Sequence, residues 1–299
     1  MLRAALELIG KRSLKWLFTQ HTVNSNENFE FFISKLTFFL NRLFLKIFNP
    51  KSLPNNFKCY VPHPYIIKNE YGFLALVTDG FTMSVFTRGY ETNVLEKIKL
   101  KNDSVFIDIG SNLGYYTLFA AKKSPEGFII SIEPDKDLNE KIVENVKVNN
   151  FDNVKCINAA IWDKNDEEIK LYEDIISGHN PTCFGEGEKY SIIKTRTLDS
   201  IVSEYGLKKI DWMKIDVETA EVNVLEGAKN SLDITNNLIV EIHNRDNGKK
   251  CKEILKNNGF NIQILTKFKD SSKIDDQIFD EMQDETGKFL YYPVILARK

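Results

Sequence analysis

Asp108 stands just ahead of Gly110 and Gly114 in the stretch SVFIDIGSNLGYYTLFAA, Ser104 to Ala121, and Glu133 follows Gly110 by 23 residues. Glycines let a chain turn tightly and let a ligand come close to the backbone. A carboxylate at the spacing of Glu133 suits the two hydroxyls of a ribose. A diphosphate would want the following helix N-terminus free of negative charge, and Asp108 disfavours it. The pair therefore describes an adenosine with a positively charged tail, which S-adenosylmethionine has. A second group, Asp216, Glu218, Glu241 and His243, lies in MKIDVE and LIVEIH. These residue types suit proton transfer: a histidine of ordinary pKa is neutral near pH 7 and can act as a general base, with the acids orienting it or serving as base themselves. With His243 they could also bind a divalent cation that lowers an acceptor's pKa. The expectation adopted is a site without a metal.

These residues reach one place only if particular elements carry them. From Ser104 onward, apolar runs alternate with helical patterns, the signature of a doubly wound sheet. Strands are expected at Val105–Ile109, Gly127–Glu133, Val154–Ala159, Ile210–Val217, Leu238–His243, Asn261–Leu265 and Tyr291–Ala297. Helices are expected at Tyr115–Lys123, Lys136–Asn149, Ala220–Asn230 and Gly248–Asn257. Ligands of such sheets sit outside the carboxyl ends of the strands, and each of the first five strands ends in polar groups. Between Ala160 and Lys209, EEIKLYE and SIIKTRT alternate like strands and predict an inserted β-hairpin. The Gly-rich loop joining them carries His179, which could reach an acceptor if the loop closes as a lid.

Residues 1–50 carry seven Lys or Arg against three acids, +4 in a chain of net charge −2, so a basic segment precedes a more acidic body. That overall balance gives no footprint for nucleic acid. Phe29 to Phe48 matches a bilayer in length, but Lys35 and Arg42 near its middle argue against spanning. Wound as a helix, it places Phe32, Ile33, Leu36, Phe39, Leu40, Leu43 and Ile47 on one face and Lys35, Arg42 and Lys46 on another. Such a helix packs on its own domain, on a second subunit in a homo-oligomer, or on a membrane surface. PKSLPNN ends this part, Phe57 to Thr87 reads as an antiparallel strand pair, and GYETNVLEKIKLKND reads as a helix leading into the main domain. The expected division is 1–50, 51–100 and 101–299. Four dispersed cysteines, Cys59, Cys156, Cys183 and Cys251, form no C-x-x-C pair and suggest a reducing, cytoplasmic compartment.

The span from Glu91 to His243 resembles the FkbM family of S-adenosylmethionine-dependent methyltransferases. The likeness lies in GYE, IDIGSNLGYYTLFAA, SIEPD, TLDSIV and, most selectively, MKIDVETAEVNVLEGA followed by LIVEIH. It implies an α/β fold: a doubly wound, mostly parallel Rossmann-like methyltransferase sheet with a helical N-terminal segment and an inserted β-hairpin. It also implies S-adenosyl-L-methionine as cofactor. Asp108, Gly110, Asn112 and Gly114 would line its methionine part, Tyr115 and Thr117 its carboxylate, Glu133 its ribose, and Asn158 and Ala160 its adenine. Glu91 would lie over the same pocket, and Asp216 would face the sulfonium and the acceptor. The acceptor implied is a hydroxyl of a sugar, glycan or small natural product. One departure stands out: the family usually has Gly-Ala-Glu where this chain has Thr219-Ala220-Glu221, though threonine can cap a helix. The competing readings are a nicotinamide-dependent oxidoreductase, which lacks its G-x-G-x-x-G here, and a non-catalytic surface-associated protein that keeps the nucleotide fold.

Overall fold

The computed structural model describes residues 22–47, 61–87, 91–172, 182–183, 189–265, 270–271, 279 and 292–299. The chain divides into two compact units, Met1–Thr92 with Glu144–Asn150, and Asn93–Val143 with Phe151–Lys299.

In the first unit, strands β1 (Tyr65–Lys68) and β2 (Leu74–Val77) form the expected antiparallel pair, Tyr65 opposite Val77 and Lys68 opposite Leu74. The free edge of β2 is covered by two asparagines: Leu76 donates its N–H to Asn145 Oδ1 and Leu74 donates to Asn149 Oδ1, while Asn149 Nδ2 donates back to Leu74 O. Gly80–Thr87, which falls within the stretch read as strands, is a helix. Its β-branched residues are overruled at the N-terminus, where Asp79 Oδ1 accepts from the Thr82 N–H. Of the helix expected over GYETNVLEKIKLKND, Thr92–Leu95 is helical among the described residues.

The helix Asn28–Ile47 is present, but it turns a different face inward. Phe31, Ser34 and Lys35, spaced i, i+3, i+4, are buried, and Phe32, Ile33, Leu36 and Phe39 are partly exposed. Phe31 packs against the ring of Tyr65 at 5.1 Å. Lys35, expected on a basic stripe, is 1% exposed, its ammonium 5.1 Å from the centre of the Phe31 ring. Burial lowers its pKa to about 8. A lysine's aliphatic stem makes this placement feasible, and the basic stripe imagined for a membrane surface loses one of its members. Among the described residues, no helix is long and apolar enough to cross a membrane.

The second unit is built on β3 (Val105–Ile109), β4 (Phe128–Ile132), β5 (Val154–Ile157), β6 (Ala160–Ile161), β7 (Glu168–Tyr172), β8 (Tyr190–Arg196), β9 (Ile210–Ile215), β10 (Thr235–Glu241), β11 (Asn261–Leu265), β12 (Asp270–Ser271) and β13 (Val294–Arg298). Eight strands form one sheet in the order β12-β11-β13-β10-β9-β3-β4-β5. β10, β9, β3, β4 and β5 are parallel, and β13 runs antiparallel between β10 and β11. The near-continuous apolar runs VFIDI, FIISI and IDWMKI suit strands covered on both faces. Their polar interruptions align, because Asp108 pairs in register with Ser131 on one side and Lys214 on the other. Strand order reverses at β3: the chain adds β4 and β5 on one flank and later β9 and β10 on the other. The tips of β3 and β9 thus form the switch point where open α/β sheets bind ligands.

The inserted hairpin is β7 and β8, Glu168 opposite Lys194 and Tyr172 opposite Tyr190, and β6 extends it to three strands by pairing with β8. Three features differ from expectation. Leu198–Glu204 is a helix, capped by Thr197 Oγ1 accepting from the Ser200 N–H. The helix expected over Ala220–Asn230 is two, Glu221–Glu226 and Lys229–Asp233. At the break a Cβ on Gly227 would stand 2.0 Å from the carbonyl oxygen of Trp162, so the close approach of the backbone just after β6 dictates glycine. β5 stops at Ile157, which leaves Asn158 beyond the strand.

Candidate functional site

The turn after β3 is locked by its own backbone. Gly110, Asn112 and Gly114 have φ of 75°, 51° and 79°, and a Cβ on Gly110 would lie 1.7 Å from the carbonyl oxygen of Asp216. The N–H groups of Gly110 and Ser111 both donate to Ile132 O, that of Asn112 to Glu133 Oε2, and that of Gly114 to Ser111 O. Ser111 Oγ donates to Asp108 O and accepts from the Ile132 N–H and from Ser131 Oγ. The N–H groups of Gly110, Ser111, Asn112 and Gly114 are thus committed within the protein and leave those of the following helix as the ones that could face a ligand.

Asp108 is fully buried. Its Oδ2 accepts from Thr117 Oγ1 at 2.7 Å, and its Oδ1 is buried with no hydrogen-bond partner among the described residues. Burial pushes this carboxyl up, and the charge of Lys214 opposes the shift. Thr117, expected at the cofactor's carboxylate, has no solvent exposure and spends its hydroxyl on Asp108, so it positions that acid. Tyr115 is buried as well. Lys214, buried, donates to Asp216 Oδ2 at 3.0 Å and lies 4.8 Å from the centre of the Tyr116 ring.

Glu133 sits at the tip of β4, nearly buried, accepting from the N–H groups of Asn112 at 2.7 Å and Asp135 at 2.9 Å. Burial raises its pKa to about 7 against the effect of these hydrogen bonds. Asn158 is exposed and its Nδ2 donates to the carbonyls of Glu133 and Pro134, fixing the turn below the acid. Ala160, also expected near adenine, is buried in β6 and paired with Thr195.

Past the neighbouring tips of β9 and β10 lies a denser group. His243 has a side chain only 3% exposed; its Nδ1 donates to Glu221 Oε1 at 2.6 Å, and its Nε2 lies 3.3 Å from Glu218 Oε2 and 3.6 Å from Asp216 Oδ1. Burial alone would lower the pKa of this histidine. The Glu221 hydrogen bond and the charges of Asp216, Glu218 and Glu221 outweigh burial and raise it to about 10. These acids favour the charged form and so work against the neutral histidine expected from the sequence. Asp216 is held below the usual carboxylate range: burial works the other way, but Lys214 and His243 prevail. Glu241, the last residue of β10, completes the group, with donor atoms of Asp216, Glu241 and His243 all within 4.8 Å of one another.

Glu221, the first residue of the helix Glu221–Glu226, holds this arrangement. It is fully buried and accepts from His243 Nδ1, from the Thr219 N–H at 3.0 Å and from Asn247 Nδ2 at 2.6 Å. Asn247 was not singled out, although the Asn244 cap starting its helix was a readable sign that this segment turns back toward the strand tips. Tyr292 was also missed; its ring lies 4.5 Å from that of His243, and no signal in the sequence placed it there. Glu218 and Thr219 have φ of 45° and 83°. Thr219 stands where the family usually has glycine and adopts the backbone that glycine favours. It caps nothing: the N-cap of the next helix is Ala220, and Thr219 Oγ1 is buried without a partner.

Glu91 belongs to the first unit, with φ of 46°. His179 lies outside the described residues, but Thr182 from the same insert donates its hydroxyl to Glu218 O at 3.1 Å. Burial, helped by the charge of Glu133, raises the pKa of the neighbouring Cys183 thiol to about 11.

Residues 108–275 match the model of the methyltransferase FkbM domain. Among known proteins, the chain is similar to the AMB antimetabolite synthetase AmbE of Pseudomonas aeruginosa, 23% identical over 211 residues that take in 56% of this chain and 10% of AmbE. It is similar to the hexuronic acid methyltransferase AglP of Haloferax volcanii, 28% identical over 148 residues covering 48% of this chain and 57% of AglP. It is also similar to the 2-O-methyltransferase NoeI of Sinorhizobium fredii, 27% identical over 164 residues covering 49% of this chain and 66% of NoeI. In each case the match spans less than two thirds of the relative's length.

A β-branched residue at positive φ with an orphaned hydroxyl is strained, and glycine removes both costs while adding some chain entropy to the unfolded state. Thr219→Gly is expected to raise unfolding stability in urea by about 1 kcal/mol; an unchanged or lowered midpoint would show that the turn carries no such strain.

Proposed function

Because the chain belongs to the FkbM methyltransferase family, we propose that it transfers a methyl group from S-adenosylmethionine to a hydroxyl of a sugar, glycan or small natural product. The observation that carries this reading is the committed glycine turn. With the N–H groups of Gly110, Ser111, Asn112 and Gly114 donated within the protein and Asp108 and Glu133 behind them, the donor set suits a nucleoside with a cationic tail. The same feature counts against a dinucleotide-dependent oxidoreductase.

S-adenosylmethionine, when bound, supplies a methyl group on a sulfonium sulfur. Glu133 would hold the ribose: a carboxylate has about four lone-pair sites, and two backbone donors leave room for a pair of hydroxyls. Asp108, without solvent exposure, acts on a cationic tail through its field, and Lys214 tempers that field. Asp216 is fixed by Lys214 next to the acceptor side. Loss of the acceptor's proton falls to Glu218 or Glu241, both partly exposed, and His243, fixed through Nδ1 by Glu221, orders the acids around it. Holding acceptor and donor in line is the larger part of the catalysis such a site can offer. AglP and NoeI, whose names specify a hexuronic acid and a 2-O position, support a carbohydrate hydroxyl as the first acceptor to try.

The direct test supplies methyl-labelled S-adenosylmethionine with a panel of hexoses, uronic acids and oligosaccharides. Label in a base-stable methyl ether is expected; label only in base-labile esters, or none despite cofactor binding, contradicts the reading. A second expectation concerns pH. Ribose binding needs Glu133 ionised, and its pKa of about 7 means that a proton must be lost first at lower pH. Affinity for S-adenosylhomocysteine should therefore rise about tenfold between pH 6 and pH 8, and calorimetry should show this dependence flattened in Glu133→Gln.

A further inference from the structure

We infer that Asp216, Glu241 and His243 form a binding site for a divalent cation, in place of the metal-free site expected from the sequence. The backbone sets the ligands. β9 and β10 are parallel neighbours with Ile215 opposite Val240, so Asp216 and Glu241 follow directly from paired residues on adjacent strand tips. His243 is two residues beyond Glu241 and so shares its side of the chain. The three donor atoms span at most 4.8 Å. Opposite ligands of a cation with bonds of about 2.1 Å lie roughly 4.2 Å apart, so a small side-chain rotation of the partly exposed Glu241 closes the set.

The histidine is the second and independent observation. Its side chain is 97% removed from solvent, and Nδ1 is bound to the buried Glu221 carboxylate, which Asn247 and the Thr219 N–H fix in turn. A carboxylate on the far nitrogen is what orients a metal-ligating histidine and raises its basicity. The near nitrogen, Nε2, faces the acids, 3.3 Å from Glu218 Oε2 and 3.6 Å from Asp216 Oδ1. Charge points the same way: Asp216, Glu218, Glu221 and Glu241 converge on this centre, which a dication would make less negative. One imidazole with carboxylates suits Mn²⁺ or Zn²⁺ better than a large all-oxygen ion. Beside the acceptor position, such a cation would bind and acidify a hydroxyl. The site stands on its donors alone, and its test reads binding, so its failure leaves the methyl-transfer reading untouched.

The experiment is calorimetric titration of chelator-stripped full-length protein with Mn²⁺ and, separately, Zn²⁺ at pH 7.5, with parallel titrations of Glu241→Gln and Asp216→Asn. Saturable uptake of one ion per chain, weakened at least tenfold in both variants, is the expected result. Glu241 is partly exposed, so its variant should fold, and circular dichroism verifies this. The inference is overturned if neither ion binds saturably, or if binding is the same in the folded Glu241→Gln variant.

Discussion

A negative charge with no access to water must be balanced by donors supplied within the protein, and at the tips of this sheet that requirement governs the local structure. Glu221 is the clearest case. Fully buried, it takes hydrogen bonds from His243, Asn247 and the Thr219 backbone, and so ties the end of β10, the helix Arg245–Asn257 and the loop after β9 to one carboxylate. Removing one partner of such a buried pair typically costs about 3–5 kcal/mol. The same acids favour the charged form of the histidine.

The requirement also accounts for strain. Asn112, Glu218 and Thr219 all take left-handed backbone conformations that non-glycine residues avoid. Two of the three place a hydrogen bond on a buried acid: Asn112 donates its N–H to Glu133, and Thr219 donates its N–H to Glu221. Strain of this kind collects at functional sites, where surrounding contacts over-determine the conformation. Here it falls on the two loops that flank the switch point between β3 and β9.

Much of this was legible in the sequence, for a reason that also sets the limit. Parallel strands buried on both faces write themselves as apolar runs, so β3, β4, β9, β10 and β11 could be read within a few residues, and their polar ends marked the site. What could not be read depends on contacts between distant segments. The need for glycine at position 227 follows from the carbonyl of Trp162, and the inward face of the helix Asn28–Ile47 from the packing of Phe31 on Tyr65. The charge of His243 follows from three acids converging from different segments, and the protonation of Glu133 from its depth. Residue type assigns a histidine its ordinary pKa; burial and neighbours decide the real one.

The site is expected to select a nucleoside with a cationic tail, because the N–H groups of Gly110, Ser111, Asn112 and Gly114 are bound within the protein and the carboxyls of Asp108 and Glu133 stand behind them. Competitive titration of the full-length protein with S-adenosylhomocysteine and ADP tests it most directly. The account predicts saturable binding of S-adenosylhomocysteine that excess ADP does not displace; tighter binding of ADP, or displacement at equal concentration, would contradict it.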